Sequence, residues 1–269
     1  MEPYNLNNVK IVFIGAGNVA TYLSKTITYS GSEIGQVYSR SIERAKTLAN
    51  QLNCDFTTDL NNIKTDADVY IFAVPDDVLP SIVAAMPPNN GLWVHTSGSV
   101  DMEVFGDYTK RYGVFYPLQT FSIQRMLHPS EVSLFIEANS LHDYGLLYHI
   151  GGYVSDKVYR LSSEKRKYLH LAAVFACNFS NHLYTIAAQI LDKEGLDWRL
   201  LQPLIDETAH KLHLTHPVQA QTGPAIRGDK SILEKQITLI EDEQIRQLYS
   251  LISNSIQTHP TNKNNNDKL

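Results

Sequence analysis

The chain has little that would mark it for export, a membrane or a nucleic acid. Only two cysteines occur in 269 residues, Cys54 and Cys177. They fall far apart and in different expected elements, so no structural disulfide is expected and a reducing, cytoplasmic setting is. No apolar run exceeds about seven residues, against the ~20 that a helix needs to span a bilayer. The opening Met-Glu-Pro-Tyr-Asn lacks the positive start and apolar stretch of a secretory signal. Basic residues are not in excess: 23 Lys and Arg stand against 28 Asp and Glu, and they are scattered. That argues against the basic face of a nucleic-acid binder. No internal repeat is visible. Residues 258–269 are polar and of low complexity, and read as a disordered tail.

What is there is an ordinary globular composition, 43% hydrophobic and 19% charged, long enough for two domains. The first half alternates short apolar runs with helical patterns. Residues 9–14, apolar apart from Lys10, read as a strand covered on both faces. A helix follows, with Val19, Leu23 and Ile27 on one side. Residues 34–39 read as a second strand. Ser41 is placed to cap a second helix whose buried stripe is expected to be Ile42, Ala45, Leu48, Ala49 and Leu52. Residues 69–74 form another strand, stopped by Pro75, after which Asp77 is expected to cap a helix. Further strands are expected at 92–95, 113–116 and 132–136. This rhythm predicts an α/β fold with a doubly wound, mostly parallel sheet.

The rhythm stops near Leu161. One long helix is expected from Ser162 or Ser163 to Glu194, with Gly195 as its stop, followed by helices around 198–212 and 232–256. The expected division is therefore a nucleotide-binding domain over 1–161 and a helical domain over 162–257. At 1.5 Å per residue the long helix would reach roughly 45 Å. Its broad apolar stripe, including Leu169, Phe179, Leu183, Ile186 and Ile190, predicts packing against a second copy, with Cys177 buried as a small hydrophobe.

The strongest motif is Gly15-Ala16-Gly17-Asn18-Val19-Ala20, a G-x-G-x-x-A placed between a strand and a helix. Gly15 permits the tight turn, Gly17 lets backbone approach a pyrophosphate, and Ala20 keeps the helix close to the sheet. The helix amino-terminus offers free N–H groups to phosphate. This is the dinucleotide-binding fingerprint of a Rossmann domain. The end of the second strand separates the two nicotinamide cofactors. An NAD site would carry Asp or Glu there; this chain has Ser39-Arg40-Ser41, with Arg44 one turn later. A guanidinium with flanking hydroxyls suits a 2′-phosphate, so NADP is the expected cofactor. Val74 and Pro75 should run along the cofactor ribose, and His95-Thr96-Ser97-Gly98-Ser99 should lie near the nicotinamide.

Four further motifs occur in order: H-T-S-G-S (95–99), Y-P-L-Q-T-F (116–121), H-L-A-A-V-F-A-C-N (170–178) and T-G-P-A-I-R-G-D (222–229). Together they resemble a family of Rossmann-like proteins with a carboxy-terminal helical domain of unknown function. Its members are labelled NADP oxidoreductases of the deazaflavin-dependent or pyrroline-5-carboxylate reductase-like kind. The resemblance implies an all-helical domain like that of 6-phosphogluconate dehydrogenase, and a homodimer. It implies no particular substrate. Two departures stand out. The wider β-hydroxyacid dehydrogenase group carries K-x-x-x-N on the long helix; if Asn178 is that Asn, the Lys position is Val174. Tyr116 also stands where His is expected in many relatives.

Hydride transfer needs positioning and a proton donor. His170 and Asn178, eight residues apart, fall about 80° apart on a regular helix, so His170 could give a proton and Asn178 hold a substrate carbonyl. His95, at a strand end, is a second donor candidate, and Ser97 could bind substrate or the cofactor amide. Arg227 could clamp a substrate carboxylate, or pair with Asp229. His210, His213 and His216 lack a convincing partner set, so no metal is expected. The expected function is NADPH-dependent reduction of a small carbonyl or imine compound. The alternative is an NADP-binding sensor or scaffold without catalysis, which the missing Lys at Val174 favours.

Overall fold

A computed structural model describes Leu6 and residues 9–258. The described residues form one eight-stranded sheet: β1 (Lys10–Ile14), β2 (Glu33–Tyr38), β3 (Asp55–Thr57), β4 (Val69–Phe72), β5 (Leu92–His95), β6 (Tyr112–Leu118), β7 (Ser133–Ala138) and β8 (Lys157–Arg160). Their spatial order is β3-β2-β1-β4-β5-β6-β7-β8. Every neighbouring pair is parallel except β6 with β7. The chain winds outward in one direction through β2 and β3, then returns to β4 and winds the other way. The winding reverses between β1 and β4, where ligand crevices open in such sheets.

The alternation within β1 shows why its run from Ile11 to Ile14 is apolar at every position. Ile11 and Phe13 join one core, with Leu23 and Ile27 of helix α1 (Asn18–Ile27), Leu48 of α2 (Ile42–Leu52) and Ile150 of α4 (Leu141–Val154). Val12 and Ile14 join the other, with Leu79 and Val83 of α3 (Leu79–Ala84) and the cluster of Trp93, Phe72 and Phe105. Both faces are thus covered, as the unbroken hydrophobic run required.

Several local expectations need correction. Ile42 is 59% exposed and leaves the buried stripe of α2 to Ala45, Leu48 and Ala49. It is the first residue of its helix, with no turn before it to pack beneath the sheet. Asp77 caps nothing: residues Asp76–Val78 form a 3₁₀ turn behind Pro75, and α3 begins without a side-chain cap. The short edge strands β3 and β8 and the helix α4 are additions. Helix α4 is apolar with little one-sidedness and carries three glycines, so no periodic face marks it. A Cβ on its Gly151 would lie 2.7 Å from a methyl of Leu134, which shows how closely α4 lies on β7.

The long helix begins where expected, with Ser162 accepting a hydrogen bond from the Lys165 amide. It is not uniform. Helix α5 (Ser163–Ala173) passes into a π-turn over Val174–Phe179, and α6 (Ser180–Lys193) follows. Gly195 adopts φ +70° at its end. The chain divides between Ser180 and Asn181, so the first unit takes α5 and the π-turn, beyond the boundary expected at residue 161. The physical reason is a buried anchor. Arg166 of α5 pairs with Glu137 of β7 at 3.1 Å, and Ser163 donates to the same carboxylate at 2.7 Å. Cys177, expected to be buried, is exposed, as are Leu171, Phe175 (62%) and Phe179 (49%).

The second unit holds α7 (Gln202–Lys211), α8 (Pro217–Ala220), α9 (Pro224–Arg227), α10 (Lys230–Thr238) and α11 (Glu243–Thr258). The single helix expected over 232–256 is two helices, because Asp242 accepts from the Gln244 and Ile245 amides and restarts the backbone. Thr258 still belongs to α11; the rest of the expected tail lies outside the described residues. Among the described residues no helix is long and apolar enough to cross a membrane.

Candidate functional site

The carboxyl ends of β1, β4 and β5 open onto a cleft of about 820 Å³. Its floor is the Gly15–Gly17 turn. Gly15 has φ +123°, and a Cβ there would stand 2.2 Å from the Ala73 carbonyl oxygen, so the turn needs glycine for both conformation and space. Gly17 is different. Its φ is −88°, and a Cβ on it would meet nothing within 4 Å among the described residues. Gly17 is the N-cap of α1 and gives the helix no side-chain cap, nor is there an acidic residue in its first turn. The first-turn N–H groups therefore face open space with the positive end of the helix dipole behind them. A dinucleotide pyrophosphate fits that arrangement.

The expected cofactor residues largely converge. Ala16, Gly17, Asn18, Val19, Val74 and Pro75 all line the cleft, while Gly15 lies behind it as the turn. The Asn18 side-chain Nδ2 donates to the Phe121 carbonyl at 2.9 Å and ties the segment after β6 to the start of α1. Ser39, Arg40 and Ser41 stand at the end of β2, outside the lining. Ser39 Oγ accepts the Ser41 amide, and Ser41 Oγ accepts the Arg44 amide at 3.4 Å, so both hydroxyl protons remain available to a ligand. Arg40 is exposed; Arg44 lines the cleft; neither guanidinium is paired among the described residues.

At the other end lie Thr96, Ser97, Gly98, Tyr116 and His170. Ser97 Oγ accepts the amides of Ser99 (3.1 Å) and Val100 (3.0 Å). Its lone pairs are committed, which leaves its O–H as a donor. His170 reaches the cleft from α5, and its Nδ1 shares a hydrogen bond of 3.0 Å with the Tyr116 hydroxyl. The Tyr116 phenol is pushed up to about 12 by burial, with Asp76 acting in the same direction and Arg166 opposing them. It stays protonated at neutral pH and can give a proton. Gly98 makes the pairing possible: a Cβ there would sit 2.4 Å from His170 Nδ1. Arg166, one helical turn before His170, is 1% exposed and also donates to Ser163 Oγ and the Val100 carbonyl. It holds the His170 face of α5 against the sheet.

Three candidates do not meet there. His95 is 0% exposed; its Nδ1 accepts the Ser97 amide at 3.2 Å, and burial holds its pKa down to about 3, with Arg166 adding to the effect. It is neutral and orders the loop rather than facing the cleft. Asn178 is exposed and lies in the π-turn, outside the lining. The π-turn breaks the regular register on which its pairing with His170 depended. Arg227 lies in the second unit, where its guanidinium pairs with Asp229 at 2.8 Å. Sequence reasoning gave Tyr116 no role. The available signal was its place in a family motif where a histidine was expected.

Residues 132–256 match a domain of unknown function, DUF2520, and residues 10–94 match the family described as NADP oxidoreductase, coenzyme F420-dependent. BF3122 of Bacteroides fragilis, provisionally named an NADP oxidoreductase, is 44% identical in a solved structure; the match covers 94% of this chain and 99% of that one, with a TM-score of 0.87. Protein TM1727 of Thermotoga maritima is 25% identical, with 92% and 96% coverage and a TM-score of 0.67. The 1-pyrroline-5-carboxylate reductase of Streptococcus pyogenes is 12% identical, with 93% and 99% coverage and a TM-score of 0.61; that likeness is one of fold. No curated protein matches the chain significantly.

Proposed function

The chain belongs to the NADP oxidoreductase family that includes BF3122, and on that premise we propose that it reduces a small carbonyl or imine compound with NADPH. The observation that carries this reading is a single cleft with bare helix amides at one end and the Tyr116–His170 pair at the other. The pyrophosphate would rest on the amides of the α1 first turn, with Val74 and Pro75 alongside. The 2′-phosphate would be taken by Arg40, the hydroxyls of Ser39 and Ser41, and Arg44. NADPH, when bound, supplies the hydride. Ser97 donates its O–H to the substrate or the cofactor amide. Tyr116 donates its phenolic proton to the reacting oxygen or nitrogen, and His170 Nδ1 replenishes it. That pair does the proton work for which Val174 offers no lysine, which weighs against a purely sensory role.

Arg40→Asp tests the cofactor end. The variant should bind NADPH at least about 100-fold more weakly, roughly 2.7 kcal/mol, and NADH about as well as the parent. Equal losses for both nucleotides, or no uptake of either by the parent chain, would overturn the reading.

The assembly reading rests on the exposed apolar residues Leu171, Phe175, Phe179 and Ile190, which recur along the long helical run. Such a stripe is covered in a stable soluble protein, and a second copy of the same helix would cover it. Sedimentation at twice the chain mass is expected; a monomer at micromolar concentration contradicts the dimer. Cys54 and Cys177 are both free thiols, which suits a cytoplasmic protein.

A further inference from the structure

The cleft carries one charged group that the reduction described above does not use. Asp76 opens the 3₁₀ turn behind Pro75 and lines the cleft. Its Oδ2 accepts the Ser99 hydroxyl at 2.5 Å, which fixes the carboxylate beside the Ser97–Gly98 segment. Gly98 in turn lies against the His170 imidazole. The carboxylate therefore shares the proton-donor end of the cleft with Tyr116 and His170. The other residues lining that end, Thr96, Ser97, Gly98, Tyr116 and His170, bring no Lys or Arg. The cation in the lining is Arg44, which sits on α2 beside Glu43. Arg166, on α5 one turn before His170, is buried and committed to Glu137.

We propose that Asp76 makes this cleft select a cationic nitrogen substrate, a protonated imine that bears no carboxylate. The proposal rests on the NADPH-dependent reduction given above and narrows its substrate class. A fixed carboxylate lining a cleft attracts a cation and repels an anion. It repels keto acids and carboxylated imines, which need a counter-ion this end lacks. A neutral ketone fares poorly for a second reason: hydride addition builds an alkoxide before the carboxylate. A protonated imine does not. It enters the cleft with that proton already on nitrogen, and the lone pair that reduction frees there is met by the Tyr116 hydroxyl, itself partnered by His170 Nδ1. The hydride then forms a new C–H bond at the imine carbon, the C=N π pair withdraws to nitrogen, and a neutral amine results as NADPH becomes NADP⁺. The total positive charge is conserved, having passed from substrate to cofactor.

The test uses the full chain loaded with NADP⁺ and the product-like amine pyrrolidine, with L-proline as its carboxylated counterpart. Calorimetry should give pyrrolidine at least about tenfold tighter binding than proline. Asp76→Asn keeps an acceptor for Ser99 and should lose at least tenfold in pyrrolidine affinity, with an unchanged melting temperature. In turnover, 1-pyrroline should be reduced in preference to cyclopentanone. Tighter binding of proline, equal pyrrolidine binding by parent and variant, undetectable pyrrolidine binding, or a preference for the ketone would each overturn the proposal. The underlying reductase reading fails differently, through absence of NADP⁺ uptake. Pyrrolidine titrated into the unloaded chain then still decides the role of Asp76.

Discussion

Tyr116→Phe is expected to lower kcat/KM by about 100-fold or more while leaving NADPH affinity within about twofold. The substitution keeps the buried ring and removes only the hydroxyl that meets His170 Nδ1. His170→Ala should cost a similar factor, because the imidazole restores the proton that Tyr116 gives away. The two residues act as one device, so the double variant should lose little more than either single one. Multiplicative losses would mean independent roles, and an unchanged rate in Tyr116→Phe would remove the phenol from the proton path. Binding alone cannot mimic this outcome, since neither residue lies at the phosphate end of the cleft.

The second large effect separates two glycines that look alike in the motif. Gly17→Asp should weaken NADPH binding by about 1,000-fold, roughly 4 kcal/mol, without lowering the melting temperature. Space is open at that position, and its φ of −88° is accessible to any residue. Aspartate is also a favourable N-cap, contributing about 1 kcal/mol to the helix. It would occupy the amides that a phosphate needs and set a negative charge before them. Gly15→Ala should behave in the opposite way. Its Cβ would collide with the backbone of Ala73 in a left-handed conformation, so the fold should lose about 3 kcal/mol or more before any ligand is added. Denaturant unfolding and nucleotide titration on both variants read the contrast. A Gly17→Asp chain that binds NADPH normally would remove the pyrophosphate from the α1 terminus.

Much of the first unit was legible from the chain because its signals are local. A strand covered on both faces is apolar at every position, as residues 11–14 are, and a turn that forbids a Cβ is glycine, as Gly15 is. The charge at the end of β2 reads directly as Ser39-Arg40-Ser41. Such requirements act on each residue through its own backbone and immediate neighbours, so they leave a pattern in the sequence. The proton-donor end of the cleft left none. Tyr116 and His170 are 54 positions apart, and Asp76 and Ser99 are 23 apart; packing of α5 on the sheet and the return of the chain after β5 bring each pair together. The same packing buries His95, which as a residue type was an equally good donor, and the π-turn carries Asn178 out of register. Residue chemistry determined what this protein can hold; only burial and long-range contact decided which of its titratable groups face the ligand.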